Sequence, residues 1–189
     1  MPWKRAMETA RSGKYAATSF WFYSQDREAD FIHSDPVMNM KTVFFHLRTT
    51  PVPEDWSSLE QLRGFRIGAT RGYTYTKDFW ELAQQGTLQV DVVTDDEQNM
   101  RKLLAGRIQA FPIDELTGWD LLNRKFAPAQ KDLLTTTRRP LVTGSGYLLI
   151  SRKFPNATQL AEKFNAGLKM LKDEGLLEHY QDDLISGKY

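Results

Sequence analysis

Two short runs in the middle of the chain predict an α/β unit. Residues 66–83 read RIGATRGYTYTKDFWELA, and residues 99–115 read NMRKLLAGRIQAFPIDE. In each run an apolar segment adjoins a segment with apolar residues at helical spacing, and glycines mark the turns. The run between them, residues 88–93, is rich in valine. Strands that alternate with helices through short connections are typical of a parallel sheet.

The carboxyl ends of these predicted strands carry polar side chains. In an open parallel sheet, ligands bind beside the carboxyl ends of the strands. The polar residues at these ends are Thr70, Tyr73, Thr74 and Asp114. Hydroxyl groups, helix N-terminal amides and one carboxylate at the same edge favour binding of a small polar molecule.

The composition excludes several classes of function. The chain has 189 residues, a net charge of +1 and no cysteine. A net charge near zero gives no indication of nucleic-acid binding. Without cysteine there is no thiol catalysis, disulfide or cysteine zinc site. No apolar stretch reaches the about 18–20 residues of a membrane span, and no signal peptide is apparent.

The sequence contains no motif for a nucleotide or a metal. Residues 68–72 begin and end with glycine but lack the Lys-Ser/Thr ending of a phosphate-binding loop. The histidines, which show no metal-ligand spacing, are His33, His46 and His179. The acidic run within residues 94–97 invites a metal hypothesis, but its threonine and glutamate have the spacing of a helix capping box, which we prefer. We therefore expect no cofactor and no metal.

Further elements are predicted on both sides of the central unit. Before it, the patterns predict a helix over residues 2–12, strands over residues 15–23, 31–36 and 42–47, and a short helix over residues 58–62. After it, they predict a helix over residues 116–125, extended chain over residues 133–142, a strand over residues 146–152, and helices over residues 155–171 and 176–184. Two linkers, residues 47–56 and 142–146, bracket the central unit, so the chain is predicted to leave one lobe, build a second and return.

Several segments match the pattern of one known protein family. The first lobe contains SGKYAAT, SQDREADF and HSDPV, and the second contains SLEQLRGFRIGATRGYTYT and LLAGRIQAFPIDE. The C-terminal part reads GYLLISRKFPNATQLAEKFNAGLKMLKDEGLLEHYQDDL. In their order and spacing these segments resemble bacterial family 3 extracellular solute-binding proteins, the amino-acid-binding components of ABC importers. The resemblance covers nearly all of the chain.

The resemblance implies an α/β architecture, the type II periplasmic-binding-protein fold. Lobe 1 would comprise residues 1–47 and 147–189, and lobe 2 residues 48–146, joined by hinge strands at residues 43–47 and 147–151. The family begins with a further strand–helix–strand unit, so the first lobe is expected to be incomplete at its N-terminus. An incomplete lobe would expose sheet edges, and we therefore expect self-association into a homo-oligomer.

The resemblance also implies a function. An amino acid or a similar small solute would be held between the lobes by hinge closure and delivered to an ABC transporter permease in the periplasm. No enzyme activity is expected. Two alternatives stay open, an enzyme on the same fold, such as a dehydratase, and a sensory or interaction module with an incomplete cleft.

The two charged candidates for ligand binding are Arg27 and Asp114. By resemblance, Arg27 holds the ligand carboxylate, which a planar guanidinium binds through two charge-assisted hydrogen bonds. The alternative is a solvated arginine in a polar turn. Asp114 would receive the ligand amino group, and the alternative is a cap for the helix that follows.

The remaining candidates are hydroxyl and aromatic residues. Thr74, with Tyr73, would assist ligand binding at a strand-to-helix turn, and Thr70 lies just before that turn. Threonine is also a common helix cap, so both roles stay open for Thr74. Trp21 and Tyr23 would form part of an aromatic wall or fill the core, since side chains alternate between the faces of a strand.

Overall fold

A computed structural model of the chain describes residues 3–73 and 75–188. The chain forms two units, of which the first comprises Met1–Met40 and Gly144–Tyr189 and the second Lys41–Thr143. The elements in chain order are α1 (Trp3–Arg11), β1 (Ala17–Phe22), a 3-10 helix (Gln25–Arg27), β2 (Phe31–His33), β3 (Met38–Leu47), a second 3-10 helix (Leu59–Leu62), β4 (Arg66–Thr70), α2 (Lys77–Gln84), β5 (Gln89–Val93), α3 (Asp96–Leu104), β6 (Phe111–Asp114), α4 (Glu115–Lys125), α5 (Pro128–Lys131), β7 (Leu134–Thr136), β8 (Val142–Ser151), α6 (Ala157–Asp173) and α7 (Leu176–Ser186).

The first unit is built around the C-terminal half of β8. This strand pairs antiparallel with both β1 and β2. Leu149 packs with Phe31 and residues of α1 in one core cluster, whereas Ile150 packs with Ala157 and Ala161 of α6 in another. Because consecutive side chains of a strand point to opposite faces, α1 and α6 cover opposite faces of this sheet.

The second unit combines parallel and antiparallel pairing. β4 and β5 pair in parallel along their whole length, and Ile67 forms a parallel bridge with Ala110 just before β6. β3 pairs antiparallel with β6 and with β7. Phe44 and Phe45 are consecutive in β3 and lie in different core clusters, so this strand is buried on both faces. The predicted parallel strands of the central unit are confirmed.

The end of α3 follows from its sequence. The helix ends at Leu104, and Gly106 adopts a φ of 68°, a conformation that glycine tolerates best. The amide of Gly106 donates to the carbonyl of Leu103 at 3.0 Å, which satisfies one of the last carbonyls of the helix. The predicted stop at this glycine is confirmed.

In the described part of the chain, no helix is long and apolar enough to cross a membrane.

The start of β8 differs from the sequence prediction. Residues 142–146 are predicted as a linker, and the boundary between the two units does fall within them, after Thr143. Their conformation is not that of a loop, since they form the first half of the strand. A Cβ built on Gly146 would lie 2.5 Å from the sulfur of Met40, and one built on Gly144 would lie 3.1 Å from the ring of Phe22. The glycines therefore permit close packing rather than a flexible connection.

The division of the chain between units also falls within strands. The first unit ends after Met40, inside β3, and it resumes at Gly144, inside β8. The predicted lobe boundary at residues 47 and 48 lies at the far end of β3. The second half of β3 belongs to the second unit, since Val43, Phe44 and Phe45 fill its cores.

Two helical glycines provide a matched test of this packing. A Cβ built on Gly118 in α4 would lie 2.5 Å from two ring carbons of Phe45, so Gly118→Ala should lower the free energy of unfolding by about 1–3 kcal/mol. Nothing lies within 4 Å of a Cβ on Gly167 in α6, so Gly167→Ala should raise it by about 0.5–1 kcal/mol. Urea denaturation followed by circular dichroism measures both changes. A stabilising Gly118→Ala would contradict the described contact between α4 and β3.

Candidate functional site

The carboxyl ends of the parallel strands lie at one edge of the second unit. β4 ends at Thr70, which pairs with Val93 at the end of β5, and β6 ends at Asp114. Short connections lead from β5 into α3 and from β6 into α4. The N-termini of both helices therefore lie at this edge, which is where an open α/β sheet binds ligands.

Asp114 has one satisfied and one unsatisfied carboxylate oxygen. Its Oδ1 accepts hydrogen bonds from the amide of Thr117 at 3.0 Å and from the hydroxyl of Thr117 at 2.9 Å, so Asp114 caps α4, which is the alternative role that the sequence left open. Its Oδ2 is buried and has no hydrogen-bond partner within residues 3–73 and 75–188. A buried carboxylate oxygen without a donor costs free energy, and an external cation or hydrogen-bond donor would relieve that cost.

The exposure and charge of Asp114 distinguish it from the other unsatisfied groups. The described residues contain further buried atoms without a partner in His33, His46, Asn99 and Ser151. Asn99 and Ser151 are fully buried and His46 is 3% exposed, so a ligand cannot reach them. Asp114 is half-buried, and it is the one carboxylate among these side chains. Its oxygen is therefore the strongest candidate for a ligand contact.

Thr70 and Tyr73 are joined by the carboxylate of Asp96. The hydroxyl of Thr70 donates to Oδ1 of Asp96 at 2.7 Å, and the hydroxyl of Tyr73 donates to Oδ2 at 2.5 Å. Asn99 donates from Nδ2 to the hydroxyl oxygen of Thr70 at 3.1 Å. The amide of Thr70 donates to the hydroxyl oxygen of Tyr75 at 3.1 Å. The turn after β4 is thus fixed to the first turn of α3.

Sequence reasoning did not identify Asp96. The predicted capping box at residues 94–97 is wrong, because the cap of α3 is Asp95, whose side chain accepts from the amide of Gln98 at 2.9 Å. Asp95 competes with the preceding threonine for this role, and a carboxylate is an equally good cap. The one available signal was the pair of adjacent aspartates, since a single helix N-terminus needs one cap. The predicted ligand residue Thr74 lies outside the described residues.

Arg27 lies at the end of the first 3-10 helix, in the first unit. Its Nη1 donates to the carbonyl of Phe22 at 2.8 Å, and its guanidinium carbon lies 5.1 Å from the ring centroid of Trp21. Burial and the nearby guanidinium of Arg11 lower the pKa of Arg27. The guanidinium has five N–H donors, and within the described residues one of them makes a hydrogen bond. The side chain therefore keeps donors for a carboxylate.

The two aromatic candidates lie in different environments. Trp21 is half-buried, packs against the core cluster beneath α1 and donates from its indole N–H to the hydroxyl of Thr18 at 3.2 Å. Tyr23 is 55% exposed, and its hydroxyl donates to Glu28 at 2.7 Å. Its ring lies 5.2 Å from that of His33. Trp21 thus has the core role that strand alternation allows, whereas Tyr23 presents an accessible aromatic face.

Neither unit presents a metal site in its described part. Within residues 3–73 and 75–188, no group of three or more His, Asp or Glu side chains is placed to hold a metal ion. The acidic run at the start of α3 is instead explained by the cap and by the two hydroxyl contacts.

Comparison with solved structures identifies the fold. No protein-family model and no curated protein sequence matches the chain. The amino acid ABC transporter substrate-binding protein AbpA from Streptococcus pneumoniae, bound to L-arginine, is similar with a TM-score of 0.77 and 16% identity, over 99% of this chain and 75% of that one. This chain has the periplasmic-binding-protein fold. The predicted α/β fold class is confirmed.

Two further solved structures are similar to this chain. A mutant of ArgBP from T. maritima is similar with a TM-score of 0.74 and 17% identity, over 98% of this chain and 76% of that one. A histidine kinase sensor domain with similarity to periplasmic binding proteins has a TM-score of 0.74 and 16% identity, over 97% of this chain and 75% of that one. At sequence identities of 16–17%, the similarity to these structures shows the fold alone.

The surroundings of His33 predict a pH dependence of stability. Burial lowers the pKa of His33, Arg27 and Arg152 act in the same direction, and Glu28 opposes them. The unfolded chain therefore takes up this proton first as the pH falls. The free energy of unfolding should decrease from about pH 6.5, the ordinary value for histidine, down to the pKa of the native state, with no such loss above pH 6.5.

An NMR titration of the His33 ring measures the native pKa, and urea denaturation at several pH values measures the stability. In His33→Asn the decrease in the free energy of unfolding that His33 causes below about pH 6.5 should disappear. His179→Asn is the matched control because the His179 side chain is 64% exposed, and in this variant the decrease should remain. A native pKa for His33 at or above the ordinary histidine value would contradict the described burial.

Proposed function

We propose that this chain binds an amino acid without changing it covalently. The observation that carries the proposal is the buried Oδ2 of Asp114, which has no partner within residues 3–73 and 75–188. A ligand ammonium group donates hydrogen bonds and carries the opposite charge, so it supplies what this oxygen lacks. A hydrogen bond to a charged group contributes about 1.5–3 kcal/mol, enough to orient a small ligand.

The position of Asp114 supports the same proposal. Asp114 is the last residue of β6, at the carboxyl edge of the parallel strands. Its other oxygen, Oδ1, caps α4 by accepting from the amide of Thr117. Because the cap holds the carboxylate in place, the unsatisfied Oδ2 needs no further ordering when a ligand binds. A preorganised charged acceptor of this kind reduces the entropy lost on binding.

The carboxylate of the ligand is assigned to Arg27 in this proposal, as the resemblance implies. Its unused guanidinium N–H groups support the assignment, and so does the ring of Trp21, which limits the orientations of the guanidinium. Thr74 is proposed to assist the same group, and Tyr23 to form part of the aromatic wall. The solute itself is proposed to be an amino acid because AbpA, which has the same fold, is bound to L-arginine.

We assign the chain to import through an ABC transporter, with a permease as its partner and the periplasm as its location. The support is that AbpA is named an amino acid ABC transporter substrate-binding protein. A second candidate is a sensory module, which the similarity to a histidine kinase sensor domain favours. Both functions share the binding step, and reconstituted transport with a cognate permease separates them.

The binding step is tested on Asp114. We expect a thermal-shift screen of the common amino acids to give at least one hit, with L-arginine as the first probe. A ligand at 100 times its dissociation constant stabilises a protein by about 2.7 kcal/mol, which is visible as a raised midpoint. Asp114→Asn should weaken binding of the hit by about tenfold or more in calorimetry, because the charge is lost while asparagine still caps α4.

Asp95→Asn is the matched control, since Asp95 caps α3 at the same edge and asparagine preserves the cap. It should leave the affinity unchanged. Arg27→Lys keeps the charge but loses the planar fork, so it should weaken binding as well. If no amino acid shifts the midpoint of a cooperatively unfolding wild-type sample, or if Asp114→Asn binds as tightly as wild type, the proposal is wrong.

A further inference from the structure

A groove with a volume of about 460 Å³ lies on the surface of the second unit. Three segments line it, namely residues 56–60, one side of α2, and the chain at Arg139 and Leu141. All of the lining residues belong to the second unit, and none of them is a candidate for amino acid binding. The groove is therefore a separate feature of the surface, which the proposed function does not use.

The groove is elongated along α2. The residues that this helix and its two ends contribute are Thr76, Asp78, Glu81, Leu82 and Gln85. From Thr76 to Gln85 a helix rises about 13 Å, at about 1.5 Å per residue. An extended chain advances about 3.3 Å per residue, so about four residues of another chain fit along this length. The shape suits a peptide segment better than a small molecule that must be enclosed on most sides.

The bottom of the groove is apolar and fixed. Trp56, Leu59 and Leu141 line it, and all three are buried members of the same core cluster. The indole N–H of Trp56 donates to the carbonyl of Arg139 at 3.2 Å, and the guanidinium carbon of Arg139 lies 5.0 Å from the ring centroid of Trp56. The amide of Arg139 donates to the carbonyl of Glu54 at 3.0 Å. Because these contacts hold the lining in place, docking requires little ordering of the groove.

The rim of the groove carries more negative than positive charge. Glu60, Asp78 and Glu81 are exposed carboxylates in the lining, against the guanidinium of Arg139. Oε1 of Glu81 lies 3.4 Å from Nζ of Lys77, whereas the side chains of Glu60 and Asp78 make no hydrogen bond or ion pair within the described part of the chain. The whole chain has a net charge of +1, so the acidic character is local. Such a rim attracts basic segments and repels acidic ones.

We propose that this groove is a docking site for a short extended segment of a partner protein in which apolar and basic residues alternate. Consecutive side chains of an extended segment point to opposite sides, so its apolar side chains contact Trp56, Leu59 and Leu141 while its lysines or arginines reach the rim. The small contact area is typical of a transient interaction. This inference goes beyond the proposed function and does not depend on it, because the two surfaces share no residue.

Fluorescence anisotropy of labelled peptides tests the inference. The probe is a short peptide of alternating leucine and lysine, and we expect it to bind the wild-type protein more weakly as the salt concentration rises. Replacing every lysine by glutamate, or every leucine by serine, should weaken binding by about tenfold or more. If the leucine–lysine peptide does not bind, or if the glutamate peptide binds equally well, the inference is wrong.

A matched pair of variants locates the binding. Glu60→Gln/Asp78→Asn removes two rim charges and should weaken binding of the leucine–lysine peptide by about fivefold or more. Glu178→Gln/Asp182→Asn is the control, since it removes the same charge from two exposed positions of α7 in the first unit. It should bind the peptide as tightly as wild type. An equal loss in both variants would mean that the peptide responds to net charge alone and would overturn the inference.

Cross-linking of the wild-type protein gives a second location that does not depend on a variant. A carbodiimide joins a lysine amine of the peptide to a nearby carboxylate, and mass spectrometry should find the link at Glu60, Asp78 or Glu81. Links confined to other carboxylates would overturn the inference. Sedimentation without peptide should show that Glu60→Gln/Asp78→Asn leaves the oligomeric state unchanged. A wild-type dimer that dissociates in this variant would mean that a second copy occupies the groove, and the assignment to another protein would be wrong.

Discussion

The close approach of α3 to β4 at Gly68 is the constraint on which the candidate site depends. A Cβ at this position would lie 2.5 Å from Oδ1 of Asn99, so any larger residue would displace the Asn99 side chain. With glycine there, the fully buried Asn99 reaches the hydroxyl of Thr70. One turn earlier in the helix, Asp96 reaches Thr70 and Tyr73. The missing side chain in the strand therefore determines which polar groups meet at its end.

The two carboxylates at this edge have different roles because their oxygens are satisfied to different degrees. Both oxygens of Asp96 accept hydroxyl groups, so its charge stabilises the fold and the adjacent turn. Asp114 uses one oxygen to cap α4 and leaves the other buried without a partner in the described part of the chain. Selection for stability alone would remove such an oxygen or give it a donor. The incomplete hydrogen bonding of Asp114 is thus a better indicator of ligand binding than the presence of an aspartate.

Periodicity predicted the framework of the second unit because each strand and helix there has its own apolar pattern and its own stop signal. The parallel pairing of β4 with β5 and the end of α3 at Gly106 were predictable for this reason. Contacts between residues that are distant in sequence could not be predicted from these local patterns. The partner of Asp96 lies 26 residues earlier in the chain, and an acidic residue at a helix start has the appearance of a cap. The strand conformation of residues 142–146 was not predicted for a related reason, since the close neighbours of Gly144 and Gly146, which are Phe22 and Met40, are far away in sequence.

The chemistry of each candidate residue, considered separately, explains why the proposed ligand is a zwitterion. In the first unit, Arg27 has guanidinium N–H groups that are donors and carry positive charge. In the second unit, Oδ2 of Asp114 is a buried acceptor with no partner in the described part of the chain. A dicarboxylate would be repelled by Asp114, and a neutral sugar would offer neither residue an opposite charge. An amino acid carries one group of each sign, and its ammonium group is the part that supplies what the Asp114 oxygen lacks.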